Sequence, residues 1–599
     1  MAIKDTIRTT AKGIFRKSEE KVREEVDETA LLEQEDKYFN ESKNYRSTTI
    51  ERQWFINHAY YKGWHNVKYS KDSGKLVWGS KDPLDFAVNQ IYATCRAIRG
   101  AVTRTAPKWD VDALPYSTLD SNTSSALGEY LSFVYDKLHL RHMVKEIVLY
   151  GLLYGQGIFQ YGYDAEADKG EGLPWVQVLD PFDTYIDPYA RGIEDARYVI
   201  KVVARPRELI EANENYDQEV VKDLATSGKQ SESSYKELIN SNVADQSSLS
   251  SNLLLHEAWI VEKEGIRVMT VCEGKILRNE ITDFQKLPFE IYFPDINMNE
   301  MYGEGWVKNL VPLNKALNYL EKSILEYNII FSKGKYVTDS NSGIKIVNNR
   351  HGQIIRHKPG HTFAQMDMKP MSNTPFNQIQ NIQSYIQNIG AAHEAFMGKA
   401  PQGVTAGAAF ETLVANAYTN IIDLIDNLAD CLARLGEDIL KIGYQHQLIT
   451  KPFRTSGGDM MGVISGKVEE KDRAQADYDV AVLPENPEVK VSITSGLAHT
   501  KEGKRDLLTM LRGGGDISRR TLLENYDIDS EEEANRIIEE KLEEMQLMKV
   551  IQQETQPPAP EGENLGGMEE TEGPTGELPG GALGAPMGAA PGEIPGSEV

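Results

Sequence analysis

The sequence predicts an α+β chain, and three observations carry that prediction. Strand patterns gather in two blocks, one within residues 175–278 and one within 478–493. Between them, Trp306, Leu310, Leu313, Leu317, Leu320, Ile324, Tyr327 and Phe331 recur at steps of four and three residues, a helical seam of the coiled-coil kind. A second helical pattern follows and is broken at Gly398-Lys399-Ala400-Pro401-Gln402-Gly403. Before the break the stripe is Phe376, Ile379, Ile382, Ile386, Ile389 and Phe396. After it come Phe410, Val414, Ala417, Ile421, Leu424, Leu428, Leu432, Leu435, Ile439 and Ile442.

Taken in order, residues 1–50 mix basic and acidic side chains with few large apolar ones, which predicts a solvated helical arm. An aromatic-rich stretch follows (Trp54, Phe55, Tyr60, Tyr61, Trp64, Tyr69, Trp78). Ile91, Ala93, Cys95, Ile98 and Val102 predict a helix over 89–102 that Pro107 stops, and residues 109–113 alternate like a strand. Helices are predicted over 125–138 and 143–154. The second runs into Gly151, Gly155, Gly157 and Gly162, but no Lys-Ser/Thr follows, so a packed helix end entering a strand is expected rather than a phosphate loop. Strands are predicted at 175–179 and 198–203, with Asp180-Pro181-Phe182-Asp183 and Asp187-Pro188 as turns between them. Residues 225–252 are Ser-, Asn- and Gln-rich and predict an exposed loop or mobile insertion. A β-meander follows at 253–260, 267–272 and 275–278, turning at Glu273-Gly274.

Tyr302-Gly303-Glu304-Gly305 leads into the seam helix, where Pro312 predicts a kink or the start of the regular helix. Residues 333–371 are locally basic, with strands expected at 335–338, 344–347 and 353–356. The helix before the glycine break is mostly Asn and Gln apart from its stripe. The one after it predicts about 35 continuous residues, about 50 Å long, with Asp423, Asp426, Asp430, Glu437 and Asp438 on the face opposite its stripe. Strands at 478–483 and 489–493 and helices at 500–512, 518–525 and 530–550 complete the pattern, Ser530 and Glu533 forming a capping box. The Pro-, Gly- and Glu-rich end predicts a disordered tail.

Composition narrows the function. Net charge is -25, so a protein that grips nucleic acid tightly is excluded, although DNA that slides past is not. Three widely spaced cysteines argue against a disulfide framework, and no apolar run reaches the ~18 residues that span a bilayer. The N-terminus lacks a signal-peptide core, so a soluble protein made in a reducing compartment is expected. No phosphate cradle, HExxH, GxSxG, paired CxxC or EF-hand loop occurs. His256-Glu257 and His393-Glu394 are expected to be ordinary surface or core pairs. No catalytic residue, metal ligand or cofactor is assigned, and an enzyme is not expected.

The order of elements over residues 50–550 resembles the portal, or head-to-tail connector, proteins of tailed bacteriophages. The resemblance is carried by Asn89-Gln90-Ile91, by Val178-Leu179-Asp180-Pro181-Phe182-Asp183 with Ile186-Asp187-Pro188, and by Asp195-Ala196-Arg197-Tyr198. Leu287-Pro288-Phe289 and Tyr302-Gly303-Glu304-Gly305, leading to a helix with Asn314, Asn318 and Ser323, extend it. It implies a portal-like subunit: an N-terminal arm (1–50), a wing (51–300), a first stem helix (301–332) and a clip (333–371). A second stem helix (372–397), a tunnel loop (398–406), a long spine helix (407–447), wing return strands (448–499), a helical crown (500–550) and the acidic tail (551–599) complete the implied order. It also implies a ring of twelve copies at one capsid vertex of the virion, assembled in the host cytoplasm. Double-stranded DNA would pass through it non-specifically during packaging and ejection, with the terminase large subunit, the major capsid protein and head–tail adaptor or tail proteins as partners.

Within that frame Gly398, Lys399, Ala400, Pro401, Gln402 and Gly403 would form the tunnel loop. Gln380, Gln383 and Gln387 would present a polar, uncharged channel wall. Lys345, Arg350, Arg356 and Lys358 would dock a partner at the clip, unless the clip is simply a solvated tip. Two rival readings stand beside this one: an NTP-driven nucleic-acid translocase, and another capsid-associated structural protein such as a scaffold or filament former.

Overall fold

A computed structural model of the chain describes residues 28–70, 75–78, 87–113, 121–164, 167, 172–213, 215–224, 231–241, 252–295, 300–333, 335–344, 355–367, 369–391, 419–446, 453–454, 460–466 and 479–493. All of them belong to the first of two compact units, Met1–Asp516. The expected helices at 500–550 and the tail lie outside the described residues.

The first helix, α1 (Glu28–Thr49), corrects the expectation of a solvated arm for the part of residues 1–50 that is described. Leu31, Glu35, Phe39, Ser42 and Arg46 fall on one face, and all five are buried. Phe39 packs edge-on to Tyr185, and the Arg46 guanidinium donates to the carbonyls of Phe182 and Thr184 (2.7 and 2.6 Å) and to Glu51 (2.8 Å). The helix is held by buried polar groups that bond inside the protein: Ser42 to Ile186 and Tyr302, Glu35 to His256, and the terminal nitrogens of Arg46 as above. After α2 (Glu51–Tyr61) and a hairpin of β1 (Val67–Ser70) with β2 (Lys75–Trp78), α3 (Gln90–Val102) is capped by Asn89, whose Oδ1 accepts from the Tyr92 amide at 2.9 Å.

Strand β3 (Lys108–Ala113) leads to α4 (Ser121–Lys137) and α5 (Leu140–Tyr154), which pack in the main core. As expected, the glycines after α5 open a strand, β4 (Gly157–Asp164), which pairs with β5 (Leu173–Leu179). Next come β6 (Thr184–Ile186), β7 (Tyr198–Pro206) and the short helices α6 (Arg207–Glu211), α7 (Gln218–Lys222) and α8 (Ser234–Ser241). Helix α8 corrects the loop reading of 225–252 in part: Leu238 and Ile239 are buried, and residues 225–230 and 242–251 lie outside the described residues. The meander is β8 (Asn252–Glu262), β9 (Gly265–Cys272) and β10 (Lys275–Thr282), all antiparallel, and its five-stranded sheet is ordered β10-β9-β8-β7-β6. Its β9–β10 turn is made by Glu273 and Gly274 at φ 50° and 74°, two consecutive left-handed residues as a tight hairpin requires. Strand β11 (Phe289–Tyr292) adds to β4, giving the sheet β11-β4-β5.

Helix α9 (Val311–Lys333), the hairpin of β12 (Lys335–Thr338) with β13 (Phe363–Met366), and α10 (Thr374–Ile389) form a stalk whose two ends both lie beside α3. Helix α11 (Ile422–Gln445) then lays Leu424, Leu428, Leu432, Leu435, Ile439 and Ile442 into the core. It has 24 residues, about 36 Å, because a turn at Asn420–Ile421 interrupts the expected 35-residue run, and 401–418 lie outside the described residues. Asp438 is also corrected: it is 2% exposed, inside the protein rather than on the solvated face. The chain ends its described course with β14 (Phe453–Arg454), β15 (Met460–Ser465), β16 (Asp479–Leu483) and β17 (Pro487–Ser492). Strand β17 pairs antiparallel with β3, Val489 opposite Val111, so the late strands do return to the first part of the chain. Cys95, Cys272 and Cys431 are all buried and free.

Candidate functional site: the stalk and its anchorage

The stalk starts from a crossing that only glycines allow. Gly303 lies against Gly155 so closely that a Cβ on Gly303 would stand 2.4 Å from the Gly155 carbonyl oxygen. Gly305 adopts φ +85°, and a Cβ there would meet the Leu153 carbonyl oxygen at 2.2 Å. The flanking polar groups lock the crossing. Trp54 Nε1 donates to Gly303 O at 2.8 Å, and Asn57 Nδ2 donates to Leu153 O and Glu304 O at 2.7 and 3.0 Å. The Tyr302 hydroxyl sits among Ser42 Oγ, Ile186 O and Ile186 N, which ties α1 and β6 to the same point. The Gly-Glu-Gly step is therefore a close backbone approach to the end of α5 at the base of the stalk.

Beyond the junction, Trp306 to Asn309 form a 3-10 turn and Pro312 opens α9, as one of the two expectations for it required. The stalk seam is Leu317 and Ile324 against Ile379, Ile382 and Ile386, with Leu313, Leu320, Val88 and Met371 at its edges. Two asparagines anchor α9 to the segment before α3. Asn314 Oδ1 accepts from Gln90 N (3.1 Å) and its amide donates to Val88 O (3.1 Å), while Asn318 Oδ1 accepts from Val88 N (2.9 Å). His65 Nδ1 lies 2.6 Å from the Asn318 amide and its Nε2 lies 3.0 Å from Tyr60 O. These contacts suit a neutral ring, and burial pushes the His65 pKa down. Helix α10 ends at Ile389 rather than at residue 397. The Gly390 amide donates to Ile386 O at 2.8 Å, and a Cβ at Gly390 would meet Thr94 Cγ2 at 2.9 Å, so the helix terminates where it meets α3.

The stalk surface has a distinct chemistry. No residue of α10 is charged, and Asn377, Asn381, Ser384 and Asn388 make its most exposed line. Gln380 is exposed, whereas Gln383 and Gln387 are half-buried at the margin of the seam, so the three do not form one open face. The stripe also ends sooner than expected: Phe376 and Ile389 are 45% and 49% exposed. Residues 311–391 carry nine Lys or Arg against four Asp or Glu, within a chain of net charge -25. The same span holds ten of the nineteen exposed large hydrophobics among the described residues, with Tyr319 (73%) the most open of them. Isolated exposed side chains are ordinary, but this concentration marks a contact surface.

At the tip, β12 pairs with β13 and Tyr336 stacks on Phe363. Of the expected strands at 344–347 and 353–356, Ile344, Ile355 and Arg356 are in none, and 345–354 lie outside the described residues. Arg356 and Lys358 are exposed, and the Lys358 amide donates to Ser342 O at 3.0 Å. Lys345, Arg350 and all six tunnel-loop residues, 398–403, lie outside the described residues, as does His393-Glu394.

Three partly buried charge clusters brace the sheets and helices from which the stalk emerges, and periodicity alone does not reveal them. Lys286 Nζ lies 2.8 Å from Asp438 Oδ2 and 3.0 Å from Glu290 Oε1, and Arg434 Nε lies 2.9 Å from Glu290 Oε2. Burial, only partly offset by Lys286, raises the Asp438 pKa. Asp183 is likewise raised, by burial and then by Asp180, while Lys236 and Ser231 hold the pair to α8. Asp187 behaves oppositely. Burial pushes its carboxyl up, but Arg197 and the amides of Tyr189 and Arg197 outweigh it and hold the pKa below the usual carboxylate range. The Asp-Pro segments are therefore caps and ion-pair anchors, and no group of three metal-ligating side chains occurs among the described residues. His256, expected to be a satisfied surface or core histidine, bonds Glu35 of α1 at 3.0 Å. Among the described residues, no helix is long and apolar enough to cross a membrane.

A model of the phage SU10 portal protein family matches residues 144–463, from within α5 into β15. No curated protein matches the chain. The matched span contains the Gly155–Gly303 crossing, the whole stalk and α11, and it covers more than half of the 599 residues. The chain is a tailed-phage portal protein, a structural protein belonging to the phage SU10 portal protein family.

Proposed function

We propose that this portal protein forms a closed ring at one capsid vertex, twelve copies by the resemblance, with the stalks making the wall of a channel for double-stranded DNA. The observation that carries the reading is the chemistry of the stalk. Helix α10 has sixteen residues and no charge, so a wall built from it can hydrate DNA without holding its phosphates. The exposed apolar side chains that concentrate on the same hairpin are what a neighbouring copy would cover. In this reading Gly398, Lys399, Ala400, Pro401, Gln402 and Gly403 form a mobile loop at the narrowest point, with Lys399 supplying a ring of positive charge. Gln380, Gln383 and Gln387 belong to the wall, and the basic clip with Lys345, Arg350, Arg356 and Lys358 docks the packaging terminase and later the tail adaptor. The wing contacts the major capsid protein.

Native mass spectrometry with negative-stain microscopy tests the ring. Twelve chains of 67.2 kDa give a closed assembly of about 800 kDa with an axial hole. Open filaments would refute the closed ring. NTP hydrolysis by the purified chain alone would favour the translocase alternative. For the loop, Lys399→Ala should change DNA retention in packaged particles, and normal packaging and retention would remove the gating role.

A further inference from the structure

The corner between α4 and α5 collects positive charge on an acidic chain. From residue 137 to 145 the sequence holds Lys137, His139, Arg141, His142 and Lys145 with no carboxylate, and all five side chains are exposed. His139, at φ 54° and ψ 34°, turns the chain between the helices. With Tyr135 and Asp136, the residues His139, Arg141, His142 and Lys145 line a shallow cavity of about 300 Å³. Phe133, 37% exposed, adds an apolar side chain, and Lys137 Nζ lies 5.3 Å from the centre of its ring. Arg141 and Lys145 form no ion pair among the described residues.

Helix α11 carries a surface of the opposite sign. Asp423, Asp426 and Asp430 are spaced three and four residues apart on one exposed face, and Ile422 beside them is 50% exposed. None of the three aspartates forms an ion pair among the described residues. Arg141 and Lys145 on one surface, and Asp423 and Asp426 on the other, thus lie near an exposed apolar side chain, Phe133 and Ile422 respectively. That combination fits a protein contact with an apolar centre and a polar rim better than it fits two solvated faces. The corner is a poor nucleic-acid surface by comparison. Three fixed cations neutralise only a few phosphates, and the acidic remainder of the chain repels the rest.

In a closed ring each copy presents two different surfaces, one to each neighbour. We propose that the basic α4–α5 corner of one copy docks on the acidic α11 face of the next, with Arg141 and Lys145 meeting the acidic face at Asp423 and Asp426. This inference rests on the ring reading and names the contact that orients neighbouring copies. Rising salt should weaken assembly, because the paired charges lie at the rim.

The test uses the full chain with two charge reversals, Arg141→Glu with Lys145→Glu, and Asp423→Lys with Asp426→Lys. Thermal melts confirm folding, since only exposed positions change. Native mass spectrometry over a concentration series gives the assembly midpoint. Each reversal should raise the midpoint by about tenfold or more, and the chain carrying all four substitutions should recover it. An equimolar mixture of the two reversed chains should also assemble, with the two kinds alternating around the ring. Unchanged midpoints in both reversed chains would overturn the contact while leaving the ring intact. So would unchanged assembly with lost binding to a short duplex DNA probe, which would make the corner a nucleic-acid surface. A parent chain that forms no ring at any concentration would instead remove the ring reading itself.

Discussion

Gly303→Ala should be among the most damaging single-methyl additions in this protein. The new Cβ would sit 2.4 Å from Gly155 O and 2.6 Å from Gly155 C and Cα, where ordinary contact begins near 3.4 Å. The two backbones must therefore separate by about 1 Å. Neither can retreat freely. Gly303 O accepts from the fully buried Trp54 indole, and Gly155 N is bonded to Gly151 O at 2.8 Å. Overpacking of this kind costs about 1–3 kcal/mol, and stranding a buried indole N–H costs a similar amount, so roughly 3–5 kcal/mol is expected. At roughly 2–4 °C per kcal/mol, the melting temperature should fall by about 10 °C. Gly192→Ala is the control: nothing lies within 4 Å of its Cβ position, and the change should stay within about 0.5 kcal/mol. Tryptophan fluorescence during urea unfolding, read beside a thermal melt, measures both. A Gly303→Ala chain that melts within about 2 °C of the parent would refute the argument, as would an equal loss in the control.

Other outcomes follow from the buried charges. Arg46→Met leaves Glu51, 2% exposed, without its guanidinium and should cost about 3–5 kcal/mol. Adding Glu51→Gln should restore much of that, and a cycle of urea titrations would show it; no recovery would mean that the Phe182 and Thr184 carbonyls dominate. Asp438 has its folded-state pKa raised from 3.8 to about 6, so its contribution favours folding at low pH and is lost as pH rises through about 6. The lost contribution amounts to about 3 kcal/mol. Asp438→Asn should flatten the stability profile between about pH 4 and 6, and an unchanged profile would place the titration elsewhere. Asn314→Leu removes partners from the Gln90 amide and the Val88 carbonyl and should cost about 2 kcal/mol, with the loss read in the same urea titrations.

Much of the fold was legible because it is written in local chemistry. Glu273-Gly274 marks a hairpin turn, Pro312 starts a helix, and the apolar steps of α3 and α11, and those of α9 as far as Ile324, pack inward in the structure. The misses share a physical cause, which is that polar groups occupy core positions. The buried face of α1 contains Glu35, Ser42 and Arg46 between Leu31 and Phe39, so a hydrophobic pattern shows only two of its five members. Asp438 reads as a solvated residue for the same reason, although Lys286, about 150 residues earlier, pairs with it. Strand β13 was invisible because most of its side chains are exposed, leaving no alternation to detect; its register comes from pairing with β12. The Gly303 and Gly305 motif was noticed as a pattern, but its reason lies in Gly155 and Leu153, about 150 residues earlier and out of reach of any window. Of the candidate site, the uncharged helix and the local excess of Lys and Arg between residues 333 and 371 could be read directly. Which glutamines face outward could not, because that depends on where α9 packs.

The pairing of β3 with β17 has a consequence for how the protein is made. Val111 and its partner Val489 are 378 residues apart, and the stalk is synthesised between them. At ribosomal speeds of about 5–20 residues per second, β3 emerges on the order of 20–75 s before the strand that completes its sheet. During that interval β3 has no partner strand among the described residues, because β17 alone lies beside it in their sheet. The core around Trp109 and Val111, into which Val489 packs, is therefore finished only once nearly the whole described chain has been translated. Chains truncated before β17 would expose the edge of β3 that β17 covers, an unpaired strand open to wrong partners.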